Sequence, residues 1–443
     1  MQLVAADQVV TVDHADTVLS DAAVLIGDDG TIVAVGSADD LRSAHPDATR
    51  VDLPGHALLP GMVNTHTHLA MTMFRGLADD RDLQQFLDRV VPAEAAVLDE
   101  PRVGTATRAA ALECLLAGVT TALDMYFFPD AVLAAGDEVG LRVVTGPTFF
   151  PGDGPEGIGG SARHEWAERW LGDHPARPGW RPVVAPHSTY LVGPDELVEL
   201  GALAERHGAV LHVHAAESEG EVATVRERHG ARPVELLGSL GLLRPRTVLA
   251  HAVHLDDEEL TLVATSGAAV AHCPASNLKL ASGIARIPEL VAAGAVVGLG
   301  TDGPASSNDL DLFAAMRLAA LVHKGVAGDA TVLPARRILR AATLGGAQAL
   351  GLERDLGSLE VGKRADLVAV DLSRVHTRPV QDPCSALVYA AGRGDVRHVW
   401  VDGVRVVSDG RSTRVDEAVV ADELASLGRV VSEVVDRPAS PQP

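Results

Sequence analysis

The stretch Pro60 to Met71, PGMVNTHTHLAM, closes a short apolar run with two histidines two residues apart. In an extended strand, successive side chains alternate between faces, so His66 and His68 point the same way. Two imidazoles at one depth on one face can grip a single metal ion, and the remaining ligands and a proton-transfer group must then come from elsewhere in the chain.

Working outward, short apolar strands alternate with Ala- and Leu-rich helical segments between residues 57 and 356. The strands are predicted to begin near Ala57, Val119, Leu141, Arg181, Val210, Thr247, Ala268 and Val296. Such a βα rhythm points to an α/β fold with a parallel sheet, and eight units point to a closed (β/α)8 TIM-like barrel whose reactive residues sit at the C-terminal strand ends. A doubly wound open sheet fits less well, because no GxGxxG follows the first strand. Residues 1–56 and 357–436 read differently. AAVLIGDDGTIVAVG (Ala22 to Gly36) and VRHVWVDGVRVVSDG (Val396 to Gly410) are Val-rich runs broken by Asp-Gly turns, a hairpin pattern. A few short strands rarely stand alone, so both chain ends are expected to pair into one small β-sandwich, with a terminal helix before a disordered tail at 437–443.

The predicted barrel strands end on titratable residues. The first carries His66 and His68, the fourth His187 in APHSTY, and the fifth His214 with Glu217 in HVHAAE. The sixth carries His251 in LAHAVHL, the seventh His272 in AHCPASN, and the eighth Asp302 in GLGTDGPASS. Burying such groups without partners costs several kcal/mol each, and one metal centre supplies the partners. Taken singly, each is an ordinary buried histidine, a helix-opening acid or a turn residue. His212, His254 and His272 are read that way, and His14, His45, His174 and His376 as surface residues.

Composition narrows the partners. The 443 residues carry 37 basic and 60 acidic side chains, a formal charge of -23 that repels phosphate backbones and anionic membranes. Nucleic acid polymers and membranes are therefore excluded as expected partners. Hydrophobic residues form 47% of the chain and aromatics 3%, so the core is built from Ala, Val, Leu and Ile. Cys114, Cys273 and Cys384 are odd in number and widely spaced, which argues against a disulfide framework or a thiolate zinc site and fits a reducing cytoplasm. No Lys or Arg precedes Arg42, unlike a secretory signal, and apolar runs such as Leu290 to Gly300 are about half a membrane span.

These residues resemble the amidohydrolase superfamily, and within it the deaminases of 5'-methylthioadenosine and S-adenosylhomocysteine. The resemblance runs through PGMVNTHTHLAMTMFRGLADD, LDMYFF, APHSTYLVG, HVHAAES, LAHAVHL, HCPASNLKLASGIARIP and GLGTDGPASSNDLDLFAAMRLAALVHK, in order along almost the whole chain. It implies a barrel flanked by a sandwich, a homodimer, and His66, His68, His214 and Asp302 as ligands of one divalent metal, usually zinc. Members with two metals use a carboxylated lysine on the fourth strand. That strand ends here in His187, and the only lysines are Lys279, Lys324 and Lys363, so a mononuclear centre is implied.

The implied catalytic groups are Glu217, His251 and Asp302. Asp302 accepts the proton of an attacking water, Glu217 protonates the ring nitrogen beside the reacting carbon, and His251 orients the nucleophile or stabilises developing charge. Glu94 in VVPAEA falls on the glutamate that holds the ribose hydroxyls, with a spacing one residue shorter, and its place after Pro92 also suits the acidic first turn of a helix. His187 falls on a substrate-binding histidine, Phe86 on a stacking tryptophan, and Ser306 on a polar residue past the metal aspartate. The substrate arginine falls on Pro147, and the loop that follows, PGDGPEGIGGSARHEW, offers only Arg163 as a substitute.

The expected activity is metal-dependent hydrolytic deamination of an aminopurine nucleoside, of the adenosine or 5'-modified adenosine type. Guanine, pterin or triazine hydrolysis is the alternative in the same class. A catalytically silent scaffold is the alternative outside it, disfavoured because the four ligands and Glu217 are all present.

Overall fold

The computed structural model describes residues 1–435, so the tail expected to be disordered, 437–443, lies outside the described residues. Both chain ends meet in one eight-stranded mixed sheet. Its order is Arg411–Ser412, Val404–Ser408, Val396–Val401, Leu367–Asp371, Thr49–Pro60, Gln2–Val10, Val18–Ile26 and Ile32–Ser37. Asp402 and Gly403 turn between two of these strands with φ of 49° and 76°, the left-handed pair a tight hairpin needs. The sheet curls over until this turn meets the one at Asp28 to Gly30, where a Cβ on Gly30 would lie 2.2 Å from the Asp402 carbonyl oxygen. Trp400 Nε1 donates to Gln2 Oε1 at 2.8 Å although two strands separate theirs in the sheet. Val4, Val24, Ile26, Leu58, Leu367 and Trp400 are buried together in the fold so made.

The eight barrel strands are Met62–Thr67, Val119–Asp124, Arg142–Val144 continued by Thr148–Phe149, Val183–Pro186, Val210–Ala215, Thr247–His251, Ala269–His272 and Val296–Leu299. Their pairings are parallel throughout. The third strand is interrupted around Gly146 and Pro147, yet the Thr145 and Pro147 carbonyls still accept from Val183 N and Ala185 N at 3.1 and 3.0 Å. The last strand returns to the first at its end. Asp302 N donates to the His66 carbonyl at 3.0 Å, and the Asn64 amide is locked to Thr301, with Nδ2 donating to Oγ1 at 2.8 Å and Oδ1 accepting from Thr301 N at 3.1 Å.

One expected strand start is corrected. Ala57 to Pro60 pair with Val370 to Leu367 in the two-ended sheet, four residues beyond the expected boundary at 56, and the first barrel strand begins at Met62. Gly61 makes the handover: a Cβ there would lie 2.1 Å from Thr120 Oγ1, so only glycine lets the chain pass from sheet to barrel. The apolar run through Leu58, Leu59, Met62 and Val63 hides this change of sheet. A buried ion pair ties the two units together, with Arg142 at the foot of the third barrel strand meeting Asp366 and, at 2.7 Å, Asp402. Among the described residues, no helix is long and apolar enough to cross a membrane.

Candidate active site

The C-terminal strand ends bring together residues scattered over more than two hundred positions of sequence. His66 and His68 both set Nε2 3.3 Å from Asp302 Oδ1, and His214 Nε2 lies 3.3 Å from His68 Nε2. His66, His68 and His214 form one group of mutually close donor atoms, and His66, His251 and Asp302 form a second that shares His66.

Each ring is held from behind. His68 Nδ1 donates to the Met125 carbonyl and His214 Nδ1 to the His187 carbonyl, both at 2.6 Å. His66 Nδ1 faces His212 Nε2 at 2.7 Å, and His251 Nδ1 faces Asn277 Oδ1 at 2.8 Å. With the hydrogen on Nδ1 in every case, the Nε2 lone pairs of His66, His68 and His214 turn to one point. Burial pushes the ring pKa of His66 down to about 3 and that of His68 and His214 down as well, so the rings are neutral donors at neutral pH.

Asp302 is fastened just as firmly. Its Oδ1 accepts from Gly303 N at 2.7 Å, while Oδ2 accepts from Ser276 Oγ at 2.6 Å and Ser306 Oγ at 2.7 Å. Three donors on one carboxyl favour its ionised form. His251 and Asp302 themselves hold φ of 72° and 62°, left-handed values that non-glycine residues adopt where the surroundings enforce them.

The donor set fits a divalent cation: three neutral imidazoles, one carboxylate, and a His66 Nε2 that is buried without a hydrogen-bond partner. Such an orphaned lone pair in a dry site is costly unless an ion takes it.

Glu217 lies beside this cluster, Oε1 3.9 Å from His251 Nε2. Burial raises its pKa above the usual carboxyl range, Asp302 adding to the effect and His251 opposing it. The His251 ring pKa is raised as well: burial lowers it, but the charges of Glu217 and Asp302 outweigh that. The same pocket is lined by Phe86, Glu94, His187 and Ser306. His187 keeps Nδ1 buried and unpartnered, its pKa pushed down to about 4 by burial, so a neutral ring nitrogen there awaits a hydrogen bond.

Ser306 lines the pocket and donates its hydroxyl to Asp302 Oδ2. Two expectations are revised. Glu94 is in the last turn of the helix Leu83–Val97, which continues through Pro92, rather than in a first turn. Arg163 is only 2% exposed and is not a pocket residue. Its guanidinium donates to the carbonyls of Ile158, Thr148 and Asp153, each at 3.0 Å, and to Glu156 Oε2 at 2.7 Å, pinning the glycine-rich loop.

Sequence reasoning missed several residues that act on this cluster. His212, expected to be an ordinary buried histidine, stands behind His66, and its period-two spacing from His214 puts both on the barrel's inner face. Ser276 and Asn277 stand in the quoted HCPASN, just after a strand end. Asp124, which ends the second strand, accepts Leu69 N at 2.6 Å and so holds the turn after His68. Tyr126 donates its hydroxyl to Glu94 Oε1 at 2.6 Å. No local signal marks these last two.

The pattern of the amidohydrolase family matches residues 57–406. The chain belongs to the amidohydrolase family. This amidohydrolase is 42% identical over 407 residues to a 5-methylthioadenosine/S-adenosylhomocysteine deaminase of Syntrophobacter fumaroxidans, covering 91% of this chain and 92% of the relative. Its fold is similar to the crystal structure of an adenosine deaminase from Xanthomonas campestris with bound zinc, at a TM-score of 0.94 and 37% identity, over 98% of both chains. The zinc-complexed atrazine chlorohydrolase of Arthrobacter aurescens superposes with a TM-score of 0.89 at 28% identity, over 97% of this chain and 100% of that one.

Proposed function

We propose that this amidohydrolase is a zinc-dependent hydrolytic deaminase of adenosine-type nucleosides, releasing ammonia and leaving a 6-oxo purine. One observation carries the reading: the Nε2 atoms of His66, His68 and His214 converge with the Asp302 carboxylate beside a buried acid, Glu217, in a pocket that also holds Glu94 and His187. The deaminase names of relatives that match nearly the full chain support it.

A bound divalent ion supplies Lewis acidity, lowering the pKa of water from about 15.7 towards about 7. The protein's own groups divide the proton work. Asp302, kept ionised by its three donors, accepts the proton released as water oxygen bonds to the purine C6. Glu217, whose burial favours the neutral acid, gives its proton to the adjacent ring nitrogen and makes C6 electrophilic. Two carboxyls with opposed environments thereby serve as base and acid in one site. His251, oriented by Asn277, hydrogen-bonds the attacking oxygen. As the C6–N bond breaks, the proton held by Asp302 passes to the leaving amine, the remaining C6 hydroxyl proton returns to Glu217, and ammonia departs from the 6-oxo product. Glu94 and His187 grip the ribose hydroxyls, and Phe86 lies against the base.

The three free cysteines, all buried, support a reducing cytoplasmic setting. A homodimer completes the proposal. Leu321 and Val326, 53% and 64% exposed on the helix Leu312–Ala327, offer it apolar surface, and sedimentation measures it.

Ammonia release from adenosine, 5'-methylthioadenosine, guanine, a pterin and a triazine tests the reading. Turnover is expected with the nucleosides, lost on chelation and restored by zinc. Activity confined to guanine, pterin or triazine would reject the nucleoside assignment. A protein that takes up no metal would reject the enzyme and favour a scaffold.

A further inference from the structure

The side chains around the pocket bear on which nucleosides enter it. Away from the metal ligands its walls carry the carboxyls of Glu94 and Glu217, and among the described lining residues there is no lysine or arginine. The remaining walls are largely apolar, with Leu83, Leu87, Val90, Val91, Phe127 and Leu280 among them.

The nearest basic groups are already engaged. Arg163 sits directly behind pocket residue Thr148, but its donors are taken by Glu156 and three carbonyls, and its charge is neutralised by a Glu156 side chain only 6% exposed. Lys279, next in sequence to Leu280, points to Asp79 at 2.7 Å and to Asn308. In the outer mouth, Arg228 donates to the Tyr190 carbonyl at 2.8 Å, and the carboxyls of Asp82, Glu217, Glu219 and Glu221 line the same cleft. A carboxylate or phosphate brought along this path would lose its hydration, pass one guanidinium among four carboxyls and meet no lysine or arginine on the inner wall.

On the nucleoside reading above, we propose that this pocket selects substrates whose 5' position bears a hydroxyl or an uncharged apolar group, and rejects those bearing a carboxylate or phosphate. The apolar wall then accepts an alkyl or thioether substituent by burial, while an anionic tail is excluded by charge rather than by size.

The test compares kcat/KM for ammonia release from adenosine, 5'-methylthioadenosine, 5'-butylthioadenosine, 5'-(3-carboxypropylthio)adenosine and adenosine 5'-monophosphate. The butylthio compound, similar in length to the carboxypropylthio tail, separates charge from bulk. The uncharged substrates are expected to exceed both anionic ones by about 30-fold or more, the scale of a missing charge-assisted contact. The difference should narrow when Val91→Lys places an ammonium at the mouth, a position 52% exposed and tolerant of a long polar side chain. The carboxypropylthio compound turned over within threefold of the butylthio compound would overturn the proposal. So would equal failure of both beside active adenosine, which would mean a limit of size, or a ratio unmoved by Val91→Lys. No ammonia from any nucleoside would instead overturn the functional reading itself.

Discussion

Burial pushes the Glu94 carboxyl up to about 7, with the Tyr126 hydroxyl at 2.6 Å pulling against it. The unfolded chain releases this proton near 4.5, whereas the fold keeps it until about 7. The contribution to stability is therefore complete below the lower value and is lost as pH rises through the upper one. With the ribose contact proposed for Glu94, substrate binding has the opposite sign, because a diol is held best by the ionised carboxylate. KM for adenosine should fall as pH is raised through about 7, and Glu94→Gln should raise KM and remove that dependence while leaving kcat much less affected. A Glu94→Gln enzyme with the parent KM profile would exclude the contact. At Glu217, exchange for Gln keeps the shape and removes the acid. Zinc content should be unchanged, and kcat should drop by about a hundredfold to ten-thousandfold, as removal of a positioned proton donor does. Substantial residual turnover would rule out its proton-shuttle role.

At the barrel mouth, the donors presented by some elements are braced by others, and one strand does both. The strand Val210–Ala215 supplies His214 to the cluster and His212 to the back of His66, while the segment after His272 supplies Ser276 to Asp302 and Asn277 to His251. The second strand ends by holding His68 at both sides, through the Asp124 carboxylate on Leu69 N and the Met125 carbonyl on the ring. These braces set the orientation of the donors, so their loss should appear first in metal affinity. His212→Leu removes the acceptor for His66 Nδ1 and should weaken zinc binding by about 10- to 100-fold in a chelator competition, the usual cost of a missing outer partner. Unchanged affinity would make His212 a mere filler of the barrel interior.

Across the whole molecule, the two-ended sheet and the barrel share the Arg142 cluster. The Arg142 side chain is 7% exposed and the Asp366 side chain 4%, so removing the guanidinium strands a buried carboxylate. Arg142→Ala should cost about 3–5 kcal/mol of stability, read as a lower urea midpoint, whereas a double change of Arg142 and Asp366 to apolar residues should recover part of it. A single variant as stable as the parent would mean that the Arg142 cluster adds nothing to the joint between the two units.

The sequence alone determined the strand ends that bear His66, His68, His187, His214, His251 and Asp302, because strand periodicity and strand-to-helix rhythm are local properties of the chain. It also determined that charge and composition suit a small-molecule pocket rather than a polyanion. Only the tertiary structure decided that Ala57 to Pro60 belong to the sheet, since an apolar run reads alike on either side of Gly61. It likewise decided that Arg163 is a loop fastener, that Glu94 is paired with Tyr126, and that His212 stands behind His66. These roles depend on which side chains are brought within about 3 Å of one another by distant segments, and hydrogen-bond geometry of that kind leaves no period or spacing in a linear chain.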